Sequence, residues 1–160
     1  MTQKTFANLL KAAVVLALLC CLAVYGLYVP ALAEDCRSLE ASLSSLYLPG
    51  LIFVELTFLP ILIALFFAWR VASDIGRDRS FTRENAARMK NISFLAFFDV
   101  AYFWLGILVF WFGFSAKSGP MLILAALIGS AGIIVAVCAG ALSHLILKAA
   151  VLREENDLTV

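Results

Sequence analysis

The stretch Arg70–Asn91, RVASDIGRDRSFTRENAARMKN, is the longest polar interruption in a chain of 160 residues that is otherwise mostly apolar. It holds six of the twelve lysine and arginine residues. Apolar residues make up 64 % of the chain and charged residues 14 %, against about 45–50 % and 25 % in soluble domains. A domain of this size cannot hide such a surplus in its core. The sequence therefore predicts an integral membrane protein.

The sequence on both sides of this stretch divides into apolar segments that are long enough to span a bilayer. A helix needs about 20 residues to cross a hydrocarbon layer of ~30 Å. We predict one all-α domain over residues 1–160, a four-helix transmembrane bundle. Its spans are expected at about residues 12–33, 47–69, 92–115 and 121–147, with a loop at 70–91 and a tail at 148–160.

The first span has an alternative interpretation as a cleaved signal peptide. Lys4 and Lys11 would form its basic end, and Ala31-Leu32-Ala33 resembles a small-residue cleavage site. The uncharged run of residues 12–33 is longer than the apolar core of a signal peptide, which is about 7–15 residues. We therefore favour a retained spanning helix.

The basic residues indicate the orientation, because lysine and arginine concentrate on the cytoplasmic side of membrane proteins. With the N-terminus inside, ten of the twelve basic residues are cytoplasmic, and only Arg37 and Lys117 lie outside. We therefore expect both termini and the Arg70–Asn91 loop in the cytoplasm.

The fourth span carries small residues at intervals of four, Gly132, Ala136 and Gly140, and His144 follows at the same interval. Small residues let helix backbones approach closely, which drives association inside a membrane. We predict that this stripe packs against another helix. A span of the same chain and a second subunit of a homo-oligomer both fit the pattern.

Glu55, Asp99 and His144 are ionisable residues within the predicted spans. Charge at membrane depth is costly, so each side chain is expected to face protein or water. Counting along the helices places Asp99 and His144 in the cytoplasmic half, where the two could form a hydrogen-bonded pair. Glu55 lies in the outer half, near Pro60. We favour structural polar contacts for all three, and a proton or cation path is the alternative.

Catalytic chemistry and metal binding are not indicated. The chain has four cysteines without a CxxC pair or a histidine at ligand spacing, namely Cys20, Cys21, Cys36 and Cys138. It also lacks HExxH, GxSxG and glycine-rich phosphate motifs. We predict no catalytic residue, no metal and no cofactor. The basic stretch is short and contains three acids, so direct nucleic-acid binding is not predicted either.

The loop contains a start signal for a helix. Thr82 can cap a helix that begins at Arg83, and Glu84 places negative charge in its first turn. The third span is therefore predicted to begin as a polar helix outside the membrane. The tail at 148–160 is rich in acids, and its charge would allow contact with the basic loop, although exposed ion pairs contribute little.

Two segments, RDRSFTRENAARMKNI at Arg77–Ile92 and LREENDLTV at Leu152–Val160, together resemble the bacterial four-span membrane family called domain of unknown function 2975. Its members share a G-x-P-F-T-x-E-N turn after the second span and a tail that ends E-x-D/N-x-L-T-V/I. Ser80 stands here where the family usually has proline or another small residue, which is consistent with the resemblance. The matching positions, which we take as candidates for partner binding, are Phe81, Thr82, Glu84, Asn85, Glu155, Asn156, Leu158 and Thr159.

The resemblance implies a multi-pass protein of the bacterial inner membrane without catalytic residues. Family members are often encoded beside a small helix-turn-helix regulator. This association implies a non-enzymatic regulatory or sensing protein that docks such a regulator through residues 77–91 and the C-terminal tail. The alternative is a small transporter or channel component that uses Glu55, Asp99 and His144. For both functions the lipid bilayer is an expected partner, because the composition of the chain is that of a membrane protein.

Overall fold

The computed structural model describes residues 2–39, 47–113 and 119–157, and the elements in these ranges are helices. The predicted all-α fold is confirmed. The elements are α1 at Gln3–Ala23, a π-helical segment at Val24–Tyr28, α2 at Val29–Leu39, α3 at Tyr47–Ile75, α4 at Arg83–Gly113 and α5 at Gly119–Asp157. The predicted turn before the fourth span, at residues 116–120, lies mostly outside the described residues.

Four helical stretches are long and apolar enough to cross a membrane, and each contains most of one predicted span. They are Gln3–Asp35, Tyr47–Ile75, Arg83–Phe112 and Leu122–Asn156. Large apolar side chains lie on their outer surfaces, with Leu16 63 %, Phe97 64 % and Leu127 63 % exposed. Soluble proteins rarely expose apolar surface on this scale. The chain is therefore a membrane protein whose helices contact lipid.

All four long helices extend past their predicted spans at the same end of the molecule, where α1 begins at Gln3. α3 continues to Ile75, α4 begins at Arg83, and α5 continues through most of the predicted tail to Asp157. This end, where α1 and α4 begin and α3 and α5 finish, is called the polar end below. Most of the loop and tail residues thus belong to helices, because the apolar spans continue into sequences of good helix formers.

Helices that are neighbours in the chain are also neighbours in space. Among the described residues, α1 and α2 pack on α3, α3 packs on α4, and α4 and α5 share the most extensive interface. Successive long helices run antiparallel, since Ala7 of α1 lies beside Gly76 at the end of α3 and Gly50 of α3 lies beside Phe110 of α4. The four spans form an open bundle in chain order, with α1 and α5 at its two sides.

The first span contains a change of helical register. Val29 donates its N–H to the carbonyl of Val24, five residues earlier, which defines the π-helical segment. Pro30 follows directly and has no N–H to continue the α-helical ladder. A wider turn before a proline relieves the contact between its ring and the preceding carbonyls. The span nevertheless stays against α3, where the Lys11 ammonium lies 5.4 Å from the ring centre of Trp69.

The small-residue stripe of α5 packs against α4 of the same chain. A Cβ added to Gly132 would overlap Val100, and one on Gly140 would lie 3.1 Å from Ser93 Oγ. Ala136 is 4 % exposed, and its carbonyl accepts a hydrogen bond of 2.7 Å from Ser93 Oγ. The predicted close approach of helices is therefore present within one chain.

His144 does not belong to this interface. Along α5, buried or half-buried positions recur in alternating steps of four and three, at 125, 129, 132, 136, 139 and 143. Steps of four alone gain about 40° each on an α-helix, so three of them rotate a residue by about 120° away from the face of Gly132. His144 is exposed, and Ser143 takes the seam position instead.

Candidate functional site

The α3–α4 turn, residues 76–82, is closed by its own backbone. The carbonyl of Asp74 accepts hydrogen bonds from the N–H of Arg77 at 3.1 Å and of Arg79 at 2.9 Å. Asp78 adopts a positive φ of 62°, a conformation that aspartate tolerates better than most residues. The turn therefore reverses the chain tightly at the polar end.

The predicted N-cap of α4 is confirmed. Thr82 Oγ1 accepts a hydrogen bond of 3.2 Å from the N–H of Asn85, and the Thr82 carbonyl accepts one of 3.1 Å from Ala86. Glu84 lies in the first helical turn, as expected. Thr82 thus holds the start of α4 in place and is only partly exposed to a partner.

Asn85 is fully buried, with 0 % of its surface exposed. Its side-chain amide donates to the carbonyls of Arg79 at 2.9 Å and Ser80 at 3.3 Å. Its side-chain oxygen accepts a hydrogen bond of 2.7 Å from Arg88 Nη1. The prediction that Asn85 contacts a partner is therefore wrong, because its hydrogen-bonding groups are used to fasten the turn to α4.

Arg88 joins the two helices that flank the turn. Its Nη1 atom also pairs with the carboxylate of Asp74 on α3, and Nη2 lies 3.6 Å from Glu84 Oε2. The side chains of Arg88 and Asp74 are only 17 % and 16 % exposed. Removing one member of a buried pair is costly, since the other charge is left without compensation. This network makes the turn a rigid part of the fold.

The end of α5 is attached to the start of α4 by two contacts. Ser143 Oγ donates to the carbonyl of Ala86 at 2.7 Å. Arg83 forms a two-pronged ion pair with Glu154, with Nε 3.0 Å from Oε1 and Nη2 2.7 Å from Oε2. The pair lowers the pKa of the Glu154 carboxyl and raises the pKa of Arg83, mainly through its hydrogen bonds. The expected contact between tail and loop is confirmed.

Reversing the charge of either partner should detach the end of α5 from the turn, and reversing both should restore the contact. Arg83→Glu or Glu154→Arg is expected to lengthen the distance between spin labels on the turn and the end of α5. The double variant should return it to the original value. Because the pKa of Glu154 is lowered, the pair is present above the ordinary glutamate pKa of about 4.3 and is lost as pH falls through the lowered value. Reversing the charge of Arg77, which is also exposed, is the control and should leave the distance between the spin labels unchanged.

A groove of about 270 Å³ lies between the turn and the end of α5. Its walls are charged on both sides and carry one aromatic ring. It is lined by Asp78, Arg79, Phe81, Thr82, Arg83, Ala150, Arg153 and Glu154. Phe81 is a large apolar residue among the charged residues of the polar end, and 52 % of its surface is exposed. The groove and this ring form the most distinctive surface of the polar end.

The other candidate residues of the polar end divide into two groups. Glu84, Glu155 and Asn156 are exposed on α4 and α5. Glu155 and Asn156 each take part in an interaction within the chain, so neither is free of contacts. Leu158 and Thr159 lie outside the described residues. Phe81 and Glu84 are thus the family-matched turn residues that remain accessible.

The three ionisable residues of the spans lie at different depths. Ser93 of α4 contacts Ala136 of α5, and Ser143 of α5 contacts Ala86 of α4. Because the two helices are antiparallel, residues at the same height have residue numbers whose sum is about 229. Asp99 is then level with the region near residue 130, about 14 residues or 20 Å from His144. The structure does not bring these two side chains together.

Asp99 has a buried carboxylate oxygen, Oδ1, without a hydrogen-bond partner. Glu55 is half-buried on α3. The hydroxyl of Tyr25, in the first span, lies 2.8 Å from that of Thr57 on α3. Sequence reasoning missed Tyr25 and Thr57. The sequence contained a signal for each residue, because Tyr25 lies close to Pro30 and Thr57 lies close to Pro60, and both prolines disturb their helices. The pairing of Tyr25 with Thr57, however, depends on how α1 and α3 are aligned.

Within the described ranges, no group of three or more histidine, cysteine, aspartate or glutamate side chains is placed to hold a metal ion. Among the described residues, several polar groups come together at the turn with the end of α5, and Tyr25, Thr57 and Asp99 supply polar groups at membrane depth.

The chain is similar to known proteins over most of its length. The family described as "Protein of unknown function (DUF2975)" matches residues 31–160. The chain is also similar to the "Uncharacterized membrane protein YoaS" of Bacillus subtilis (strain 168), with 29 % identity over 154 residues, which cover 94 % of this chain and 95 % of the relative. No solved structure matches it. The match includes the turn, the polar network around Asn85 and the end of α5, and the chain belongs to the DUF2975 family of membrane proteins.

Proposed function

We propose that this protein is a non-enzymatic regulatory membrane protein that docks a small cytoplasmic helix-turn-helix regulator at its polar end. The docking surface comprises Phe81, the groove beside it and the exposed end of α5. The observation that supports this proposal is an exposed aromatic ring on a turn that the fold holds rigid. Such a ring loses little conformational entropy on binding, and aromatic anchors carry much of the energy of protein interfaces.

The height of the groove favours a soluble partner over lipid. Trp69 and Lys11 form a contact of the kind that marks a membrane interface. By the antiparallel register this contact is level with about residue 138 of α5, so Glu154 stands roughly 16 residues, or about 24 Å, further along the helix. The headgroup layer adds only about 5–7 Å on each side of the hydrocarbon. A groove at this height faces water and is accessible to a cytoplasmic protein.

The charges at the polar end are suited to a partner of mixed charge. Arg79 and Arg153 line the groove together with Asp78, while Arg83 and Glu154 neutralise each other. Arrangements of this kind contribute to specificity and association rate more than to affinity. The affinity would come from burial of Phe81.

The test is direct binding of a small helix-turn-helix regulator, of the kind encoded beside family members, to the full-length protein in lipid nanodiscs. Phe81→Ala is expected to weaken binding at least about ten-fold, as for an aromatic hot spot. Phe98→Ala is the matched control, because Phe98 is 57 % exposed but lies within a span. Its variant should bind like the unmodified protein. An unmodified protein that does not bind the regulator would contradict the proposal.

A transporter or channel that uses Glu55, Asp99 and His144 has weaker support. Asp99 and His144 are about 20 Å apart along the helices, and His144 lies on an exposed surface of α5 with Leu147, Lys148 and Val151. A proton or cation path that used all three residues would need shorter distances between their side chains.

A further inference from the structure

Asp99 carries an acceptor group that the protein leaves unused. Its Oδ1 atom is buried and has no hydrogen-bond partner. Asp99 lies near the middle of α4, which runs from Arg83 to Gly113. It is eight residues, or about 12 Å, beyond Asn91, where the polar stretch ends. An ionisable side chain at this depth is expensive unless a partner compensates it. A partner from outside the chain would remove this cost.

The alignment of α3 and α4 places Asp99 close to Thr57. Contacts join Phe110 with Gly50, Tyr102 with Phe53 and Arg88 with Asp74, so residues of α3 and α4 at the same height have residue numbers whose sum is about 155–162. Asp99 is therefore level with about residues 56–63 of α3, which places it within about 9 Å of the height of Thr57.

The hydroxyl pair beside Asp99 presents acceptors as well. Thr57 Oγ1 donates its hydrogen to the carbonyl of Val54 at 2.7 Å, so the Tyr25 hydroxyl must be the donor in its 2.8 Å contact with Thr57. The lone pairs of the Tyr25 oxygen remain available as acceptors. Thr57 is 4 % exposed, which places this pair inside the protein and away from lipid.

The helices on both sides of this pair are irregular. Tyr25 lies within the π-helical segment of the first span, and Pro60 lies inside α3. Pro60 has no N–H, so the carbonyl of Leu56 loses its α-helical donor one residue before Thr57. Irregular helices that supply free carbonyls at membrane depth are typical of sites where monovalent cations bind.

We propose that Asp99 and the hydroxyls of Tyr25 and Thr57 form a binding site for a monovalent cation between α1, α3 and α4. The carboxylate provides the charge, and the hydroxyl and carbonyl oxygens provide the neutral ligands that hard cations prefer. Asp99 lies seven residues, or about two helical turns, before Gly106, which packs on Phe53 of α3, so Asp99 is on the face of α4 that is turned toward α3. The site is independent of the docking surface at the polar end.

The experiment measures how fast dicyclohexylcarbodiimide modifies Asp99 in the purified full-length protein at constant pH. This reagent enters membranes and adds to protonated carboxyl groups, and mass spectrometry of peptides identifies the modified residue. A bound cation displaces the proton and protects the carboxylate. Sodium or potassium at about ten times its dissociation constant should slow the modification about ten-fold, by mass action. Choline chloride at equal ionic strength is the control salt and should not protect.

Two variants test whether the proposed ligands form the site. Tyr25→Phe and Thr57→Val keep the size of each side chain and leave Asp99 reactive, and both should reduce the protection by the cation. Glu55→Gln removes the other acid within the spans, which is half-buried on α3, and the protection of Asp99 in this control should be unchanged. Equal rates of modification in sodium, potassium and choline would overturn the proposal, as would full protection in the Tyr25→Phe variant.

Discussion

Replacement of Asn85 by leucine is expected to destabilise the protein by about 2–4 kcal/mol, because the variant leaves buried polar groups without partners. Leucine has a similar volume but no hydrogen-bonding group. The carbonyls of Arg79 and Ser80 would lose their donor, and Arg88 would lose an acceptor. Asn85 has no exposed surface, so water cannot replace these bonds without opening the turn.

Thermal unfolding of the purified protein, followed by tryptophan fluorescence, measures this effect. At about 2–4 °C per kcal/mol for a chain of this size, we expect the midpoint to fall by roughly 5–15 °C. Asn91→Leu is the matched control, because Asn91 lies on the same helix and is exposed. Its midpoint should change little. If the two leucine variants unfolded at the same temperature, the role of the Asn85 network would be refuted.

Asn85→Asp separates the two halves of this network. Aspartate keeps the acceptor for Arg88 but cannot donate to the two carbonyls when ionised. The variant should therefore be destabilised, and more strongly at neutral pH than in acid, where a protonated carboxyl regains a donor. A midpoint equal to that of the unmodified protein would show that the bond to Arg88 is sufficient.

Replacement of Gly106 by alanine is the second change with a large expected effect. The new Cβ would overlap the ring of Phe53 on α3. That ring cannot easily move away, because it lies 5.0 Å from the ring of Tyr102 and 5.7 Å from that of Phe110. Added volume at such a site forces the helices apart and costs about 1–3 kcal/mol. The bond from the Tyr102 hydroxyl to the Phe53 carbonyl should weaken at the same time.

The same unfolding measurement tests this change, and Gly26→Ala supplies the control. Gly26 also lies in a span, but a Cβ there meets nothing within 4 Å. Its variant should keep or slightly raise the unfolding temperature, because alanine favours helix by about 1 kcal/mol over glycine. A Gly106→Ala variant as stable as Gly26→Ala would contradict the close contact between α3 and α4.

Features that depend on short stretches of sequence were predictable. The cap at Thr82 and the start of α4 at Arg83 follow from side-chain chemistry within one turn. The contact of the acidic tail with the basic loop was expected from charge, although the specific pair of Arg83 and Glu154 was not. Asn85 shows the limit of such reasoning. Its place in a family motif was compatible with partner binding or with structure, and only its burial decides between them.

Features that depend on the alignment of distant helices were not predictable. An interval of four residues grouped His144 with Gly132, Ala136 and Gly140, whereas the interface uses alternating steps of four and three. The small difference between these periods moves a residue to another face within three turns. Similarly, the depth of Asp99 and His144 was estimated from each helix alone, and the antiparallel register of α4 and α5 sets them about 20 Å apart.

The sequence by itself determined that this is an all-helical membrane protein with four spans, and which loop carries the family motif. These properties are sums over local composition, segment length and capping chemistry, and each can be evaluated without knowing where another helix lies. Tertiary structure alone decided that Asn85 is structural, that Phe81 stays exposed, and that Asp99 and His144 lie about 20 Å apart along the bundle. These outcomes depend on the relative rotation and height of separate helices, which many weak contacts fix together and no single segment encodes.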